Sequence, residues 1–290
     1  MSARVIGSVQ PVSRGSCTAC LPGGYVRVMT DPSDPADPYA AFAPFYDWLA
    51  SDEVMTGEPF WNRFGDALST LPSGARVLDC ACGTGYNALA LTRRGFRVSG
   101  SDVSQAMLAE ARRRLSAHVT LRHCAWSELP EAFAEPFDAV VCTGNSLMHA
   151  GDEHSMVAAL TGISGVLKPG GLLVLDSRNW EKLRGEQPLL QVPHAPYLRS
   201  GQAAVAVYTW HWPDHWDADH RAEISVISTD GQQTTLGRTV INFHPFRFED
   251  LTERLNRVGF EILSHTFKPE TYVYELTARL TSCSARQEHT

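Results

Sequence analysis

Arg76-Val77-Leu78-Asp79-Cys80-Ala81-Cys82-Gly83-Thr84-Gly85 is a short apolar run that ends in a carboxylate and breaks into glycines. Helical spacing resumes at Asn87-Ala88-Leu89-Ala90-Leu91 and stops at Gly95. A second strand is expected over residues 96–102 and also ends in an acid, Asp102. Ser104 is then placed to cap a helix running from Gln105 to Leu115. Further strands are expected at 119–122, 137–142 and 172–176. Between the last two, a helix from Met156 to Leu167 closes on Lys168-Pro169-Gly170-Gly171. Strand and helix alternating with short breaks predict a doubly wound α/β fold, a mostly parallel sheet covered on both faces. After Asn179 the pattern changes to period-two alternation, over 203–210 and 222–228, which predicts an antiparallel addition. A helix over 248–258 and a final strand over 271–278 complete the expectation.

Composition narrows the function. Hydrophobic residues make up 43% and charged residues 20%, enough apolar content for a sizeable core. With 25 basic against 32 acidic residues the net charge is −7. A nucleic-acid partner is therefore not expected, since it needs a basic surface to displace counterions. An anionic membrane surface is disfavoured for the same reason, and no apolar run approaches a membrane span. The seven cysteines are spread over the chain and read as reduced thiols, which points to a cytoplasmic protein. The first thirty residues lack the basic-then-apolar order of a signal peptide. Cys17 and Cys20 have C-x-x-C spacing, but no second pair follows, so no metal site is expected. A start at Met29 would make residues 1–28 dispensable.

The glycine loop carries the chemistry. Gly83-Thr84-Gly85-Tyr86-Asn87-Ala88 fits the loose G-x-G-x-x-G/A pattern, with an acid about 20 residues on, as a dinucleotide site would have. Asp79 argues against a nicotinamide reductase. A pyrophosphate over this loop would meet that carboxylate at close range, a repulsion of several kcal/mol at an effective dielectric of about 20. S-adenosylmethionine, which carries an ammonium and a sulfonium, has the opposite preference. Asp79 then serves its methionyl cation, and Asp102 accepts both ribose hydroxyls, since an ionised carboxylate only accepts.

At these residues the chain resembles the class I S-adenosylmethionine-dependent methyltransferases. Asp79 to Gly85 is similar to their first motif, Gly100-Ser101-Asp102-Val103-Ser104 to their ribose motif, and Leu167-Lys168-Pro169-Gly170-Gly171 to their later turn. The stretches 137–149 and Leu175-Asp176-Ser177-Arg178-Asn179-Trp180 resemble the glycine and sarcosine N-methyltransferases. The likeness runs roughly from Tyr39 to Val273 and implies a seven-stranded Rossmann-like sheet with a small antiparallel lid. It divides the chain into a disordered tail (1–38), a cap over the cofactor (39–72), the cofactor-binding core (73–180), a substrate lid (181–245), a C-terminal completion of the core (246–280) and a short tail (281–290).

Residue by residue, the resemblance places Ala81 and Gly83 at the methionyl group and Asp102 and Val103 at ribose and adenine. Ala125 would offer a backbone amide to the adenine, and Trp126 an indole. Cys142 would line the cofactor floor, and His149 would reach the methionyl carboxylate through water. Tyr39 and Tyr46 would fold over the site and exclude solvent. Asn145 would orient the acceptor, and Arg178 would hold its carboxylate in a bidentate pair. The chain departs from the glycine enzymes at His244-Pro245, where they carry tyrosine before proline. Together with Trp210 and Trp212, His244 is expected to form a wall for a bulky acceptor, and its imidazole to act as a base. The implied activity is methyl transfer to a small molecule, with an amine nitrogen of an amino-acid-like compound as acceptor. Methylation of an indole-type ring in bacterial secondary metabolism is the alternative. A non-catalytic S-adenosylmethionine-binding protein would not require Arg178 and Asn145. Oligomeric state stays open.

Overall fold

The computed structural model describes residues 18–21, 24–28 and 37–281, with side chains from residue 37 onward. In chain order the strands are β1 (Thr18–Leu21), β2 (Gly24–Val28), β3 (Arg76–Asp79), β4 (Arg97–Asp102), β5 (Thr120–His123), β6 (Phe137–Cys142), β7 (Leu167–Arg178), β8 (Leu190–Gln191), β9 (Tyr197–Arg199), β10 (Gln202–His211), β11 (His220–Thr229), β12 (Gln233–Phe243), β13 (Phe260–His265) and β14 (Val273–Leu280). The helices are α1 (Ala43–Tyr46), α2 (Asp52–Thr56), α3 (Glu58–Leu68), α4 (Tyr86–Arg93), α5 (Gln105–Arg114), α6 (Leu129–Ala132), α7 (Glu153–Gly165), α8 (Trp180–Glu186) and α9 (Phe248–Arg257).

The core sheet has the order β13-β14-β7-β6-β3-β4-β5. All pairings from β7 to β5 are parallel, and β14 runs antiparallel to both of its neighbours. Near-continuous burial along β6 and the second half of β7 follows from helices covering both faces. The chain moves outward from β3 to β5 and then returns to β6. The carboxyl ends of β3 and β6 therefore diverge, which opens the crevice where open α/β sheets bind ligands. Ser104 caps α5 by accepting from the Met107 amide at 3.2 Å, as its position in the sequence predicts.

The lid is a second sheet, ordered β1-β2-β12-β11-β10-β8, with β9 also paired to β10. Burial alternates along β10 and β11, the signature of strands with one covered face. That face joins the core: Ala206, Trp210, Ile224 and Phe243 share one apolar cluster with Leu78, Leu175 and Trp180. Part of the segment expected to be a disordered tail belongs to this sheet. β2 pairs in parallel with β12, Gln233 opposite Tyr25 and Leu236 opposite Val28. The reason is the open edge of β12, whose unpaired backbone groups template another strand. A chain starting at Met29 would leave that edge bare. Cys17 and the Cys20 side chain lie outside the described residues. Among the described residues, no helix is long and apolar enough to cross a membrane.

The cap docks onto the lid through one small residue. A Cβ at Gly237 would come within 2.3 Å of the Phe45 ring, so β12 can take this ring only over a glycine. Phe45 is held in the core and has no free direction to yield. Gly237→Ala should lower stability by about 1–3 kcal/mol, read as a drop in Tm. An unchanged Tm would show that the cap and lid are not packed this way.

Candidate functional site

At the switch point the loop after β3 is tied on both sides. Cys80 donates its amide to Val141 of β6 at 2.9 Å, and Cys82 to Ser101 of β4 at 3.0 Å. Gly83 and Gly85 both have positive φ, 51° and 92°, a geometry open to glycine at little cost. The Gly83 amide donates to one Asp102 oxygen at 2.8 Å, and the Ser104 amide to the other at 2.9 Å. Burial raises the pKa of Asp102, and these two donors oppose the rise. Above the loop lies a cavity of about 950 Å³. That is at the upper end of small-ligand sites, roughly 300–1,000 Å³, and leaves room for a large cofactor with a second molecule.

Most of the expected cofactor residues line this cavity: Tyr39, Tyr46, Ala81, Gly83, Asp102, Val103, Ala125, Trp126 and His149. Asp79 and Cys142 do not. Each is 1% exposed and sits beneath the floor, one strand apart. Burial, followed by the nearby Asp102 carboxylate, pushes the Asp79 pKa up to about 7, and its Oδ2 has no hydrogen-bond partner. Ala125 plays a different part from the expected one. Its amide is already donated to Glu128 Oε2 at 2.8 Å, in a reciprocal cap of the turn Trp126–Glu128. What it offers a ligand is its methyl group. The Trp126 indole donates to the Cys80 carbonyl at 2.8 Å, which fixes the ring plane beside the loop. Sequence reading missed Cys80, Met107, Ser146 and the lid residues Val240, Ile241 and Asn242, which also line the cavity. Met107 was legible as the third residue after the Ser104 cap; the lid residues carry no local signal.

The acceptor side is built by the ends of β6 and β7. Asn145 has φ of 60°, donates its amide to Asp176 at 2.8 Å and accepts from the Arg178 amide at 2.8 Å. Its side-chain oxygen is thus committed to the backbone, and Asn145 latches the two strand ends rather than facing the cavity. Gly144 and Ser146, on either side of it, line the cavity. Asp176 is held in turn by Arg63 at 2.8 Å. The Arg178 guanidinium lies 5.4 Å from the ring centres of both Tyr208 and Trp210, and no carboxylate pairs with it among the described residues. Beside it, the Tyr39 hydroxyl is 3.3 Å from His149 Nε2, and Tyr39 meets Tyr46 edge-on at 5.8 Å.

The aromatic wall expected from Trp210, Trp212 and His244 is not at the cavity. Trp210 is 2% exposed, donates to Gln191 at 2.8 Å and stacks on Trp212 at 5.1 Å. Trp212 donates to the Pro188 carbonyl at 2.9 Å. Both fill the lid interior around Trp180 and His220. His244 lies 3.3 Å from Asp219 and donates its amide to Met148. It does not line the cavity, so it is not placed to act as the base. The reason is strand parity: the buried face of β10 carries Tyr208 and Trp210 together into the core, and both approach the site only through Arg178. Among the described residues, no group of His, Cys, Asp and Glu could hold a metal ion.

The methyltransferase domain family matches residues 77–171. The chain is 32% identical to the glycine/sarcosine N-methyltransferase of Parasynechococcus marenigrum over 192 residues, 65% of this chain and 64% of that protein. It is 31% identical to the glycine N-methyltransferase of Oryctolagus cuniculus over 211 residues, 64% of this chain and 69% of that protein. The chain thus spans about two thirds of the length of these relatives. Two solved structures share the fold. An S-adenosylmethionine-dependent methyltransferase from Clostridium acetobutylicum has a TM-score of 0.66 at 21% identity, covering 84% of this chain and 99% of its own. CalS10, an amino pentose methyltransferase from Micromonospora echinaspora with S-adenosylmethionine bound, has a TM-score of 0.64 at 22% identity, covering 83% and 96%.

The buried imidazole has a measurable consequence. Burial first, and the Arg178 charge second, push the His149 pKa down to about 4, whereas an unfolded imidazole titrates near 6.5. Below pH 6.5 the unfolded chain takes up the proton first, so stability is lost until about pH 4, by up to about 3 kcal/mol. Asp79 works with the opposite sign, because its raised pKa lets the folded state take up a proton first below about pH 7. His149→Gln should therefore lose less stability than the wild type between pH 6.5 and 4.5 in urea titrations. Parallel profiles for the two proteins would exclude a neutral buried His149.

Proposed function

The chain belongs to the class I S-adenosylmethionine-dependent methyltransferases, and from that membership we propose that it methylates the amine nitrogen of a small, amino-acid-like acceptor whose carboxylate pairs with Arg178. The observation that carries this reading is the Arg178 guanidinium, which does not line the cavity itself but lies against two aromatic rings, puts its charge next to the cavity residues Tyr39 and His149, and has no carboxylate of its own among the described residues. Arginine presents a planar fork of donors that a carboxylate can meet twice. Similarity to relatives named for glycine and sarcosine supports the same acceptor class. The indole-ring alternative rested on Trp210, Trp212 and His244, which lie in the lid interior or away from the cavity.

The residues fit the cofactor. The orphaned Asp79 oxygen beneath the loop favours a cation above it, and Gly83 holds a left-handed backbone geometry that side chains rarely adopt. Asp102, already gripped by two amides, keeps lone pairs for two ribose hydroxyls. Trp126 and Val103 supply apolar surface for the adenine. When bound, S-adenosylmethionine supplies an electrophilic methyl on a sulfonium. Tyr39 and Tyr46 then close the site and exclude water, which strengthens the oriented dipoles around it. His149, neutral in its buried place, adds no positive charge near the sulfonium. Arg178, whose amide the Asn145 latch holds, would bind the acceptor's carboxylate, and positioning of this kind supplies most of the acceleration.

Mass spectrometry with isotope-labelled S-adenosylmethionine tests the acceptor, using a panel of amino acids, other amines and indolic compounds. Label on an amino-acid nitrogen supports the proposal; label only on an indole ring overturns it. Asp102→Ala should weaken cofactor binding by about 1.5–3 kcal/mol for each charged hydrogen bond lost, measured by calorimetry. Unchanged affinity would remove Asp102 from the ribose. Arg178→Lys should raise the apparent KM of the acceptor about tenfold or more, since a point ammonium replaces one charge-assisted fork bond at best. Cofactor affinity should barely move. Intact turnover at low acceptor concentration would mean that Arg178 holds no carboxylate.

A further inference from the structure

Asp79 is a buried carboxylate that no protein cation balances. It is 1% exposed and takes part in no ion pair among the described residues. The groups around it come from every side of β3. From the loop and the start of α4 come the Ala81 and Ala88 amides, which bond it, and the Cys80 and Cys82 thiols. From β4 comes the Asp102 carboxylate, which repels it. From β6 comes Cys142, whose thiol bonds that of Cys80. One oxygen, Oδ2, is left without a partner. The two residues that follow it, Cys80 and Ala81, line the cavity.

A buried charge without a partner is costly, and the cost falls when a cation arrives close by. The methyl donor would bring a sulfonium and an ammonium to the cavity that these residues line. The demethylated product is a neutral thioether and keeps only the ammonium. The geometry points to Asp79 as the residue that distinguishes the cationic donor from its neutral product, by releasing its proton to solvent as the donor enters and taking one back once the sulfonium charge is gone. Asp79 then acts without touching either ligand, through the field it sets up beneath the loop. It is a positioning and specificity residue for the cofactor and independent of the acceptor's identity.

The sign is fixed by chemistry. With its pKa at about 7 in the free protein, Asp79 is largely protonated at pH 6, and the donor must displace that proton to gain the ion pair. Between pH 7 and pH 6 the donor's affinity should therefore fall by up to about fivefold, the limit for one linked proton. The product's affinity should fall less. His149 and the Cys80 and Cys82 thiols stay neutral across this interval, because burial pushes the imidazole down to about 4 and the thiols up. Asp102 is separated by mutation.

Calorimetry with S-adenosylmethionine and S-adenosylhomocysteine at pH 6 and pH 7 tests this on the wild type and on Asp79→Asn. The wild type should show a donor-to-product affinity ratio that rises with pH, and Asp79→Asn a lower ratio that is flat. At pH 6, donor titrations in two buffers of different ionisation enthalpy should reveal net proton release in the wild type. This readout stands even if Asp79→Asn does not fold. A pH-independent ratio in the wild type, no proton release at pH 6, or the same pH dependence in Asp79→Asn would each overturn the proposal.

Discussion

The Asp102 carboxylate accepts the Gly83 amide on one oxygen and the Ser104 amide on the other, and so clamps the glycine loop to the end of the neighbouring strand. Hydrogen bonds to a charged group are about twice as strong as neutral ones, so this clamp offsets much of the cost of burying the carboxylate. Its consequences spread in both directions. The loop is held thin enough for a ligand to approach its backbone, and Trp126, bonded to the Cys80 carbonyl, is aligned against the same loop. α7 reinforces that wall, because a Cβ at Gly162 would fall 2.0 Å from the Trp126 carbonyl. The helix approaches the ring's backbone as closely as a glycine allows.

The cap and lid depend on the same loop. Thr84 donates to Asp47 at 3.0 Å, and Arg114 pairs with Asp47 while lying 3.9 Å from the Tyr86 ring. Arg199, on a short lid strand, donates to the Asp47 carbonyl at 2.7 Å and pairs with Asp52. Thr239 on β12 bonds the Pro38 carbonyl, and Phe45 fills the groove over Gly237. Loop, cap and lid therefore form one connected enclosure. Enclosure suits the chemistry, since excluding water strengthens each dipole aimed at a sulfonium.

On the acceptor side the charges are arranged with economy. Asp176 anchors the Asn145 amide and is balanced by Arg63, while Arg178 puts its charge next to His149 of the cavity wall. Tyr208 and Trp210 back its guanidinium, a contact that favours the cation without neutralising it. A buried His149 kept neutral fits the same pattern.

Sequence by itself determined the doubly wound sheet, the glycine loop, the Asp102 strand end and the Ser104 cap, because each is written within a few residues of the chain. It also placed nine of the expected cofactor residues at the cavity, most of them in the segments that follow the core strands and flank the crevice where the strand order reverses. Tertiary structure decided the rest. Asp79 and Asp102 end neighbouring strands, yet one faces the cavity and the other lies beneath the loop, a matter of how the chain turns after each strand. The role of Trp210 turned on which face of a lid strand meets the core, and a one-residue change of register reverses that choice, whereas Trp212 and His244 lie just beyond strand ends. The latch joining Asn145, Asp176 and Arg63, like the pairing of β2 with β12, links groups far apart in the chain. No local pattern encodes such contacts; only the packed sheets bring them within bonding distance.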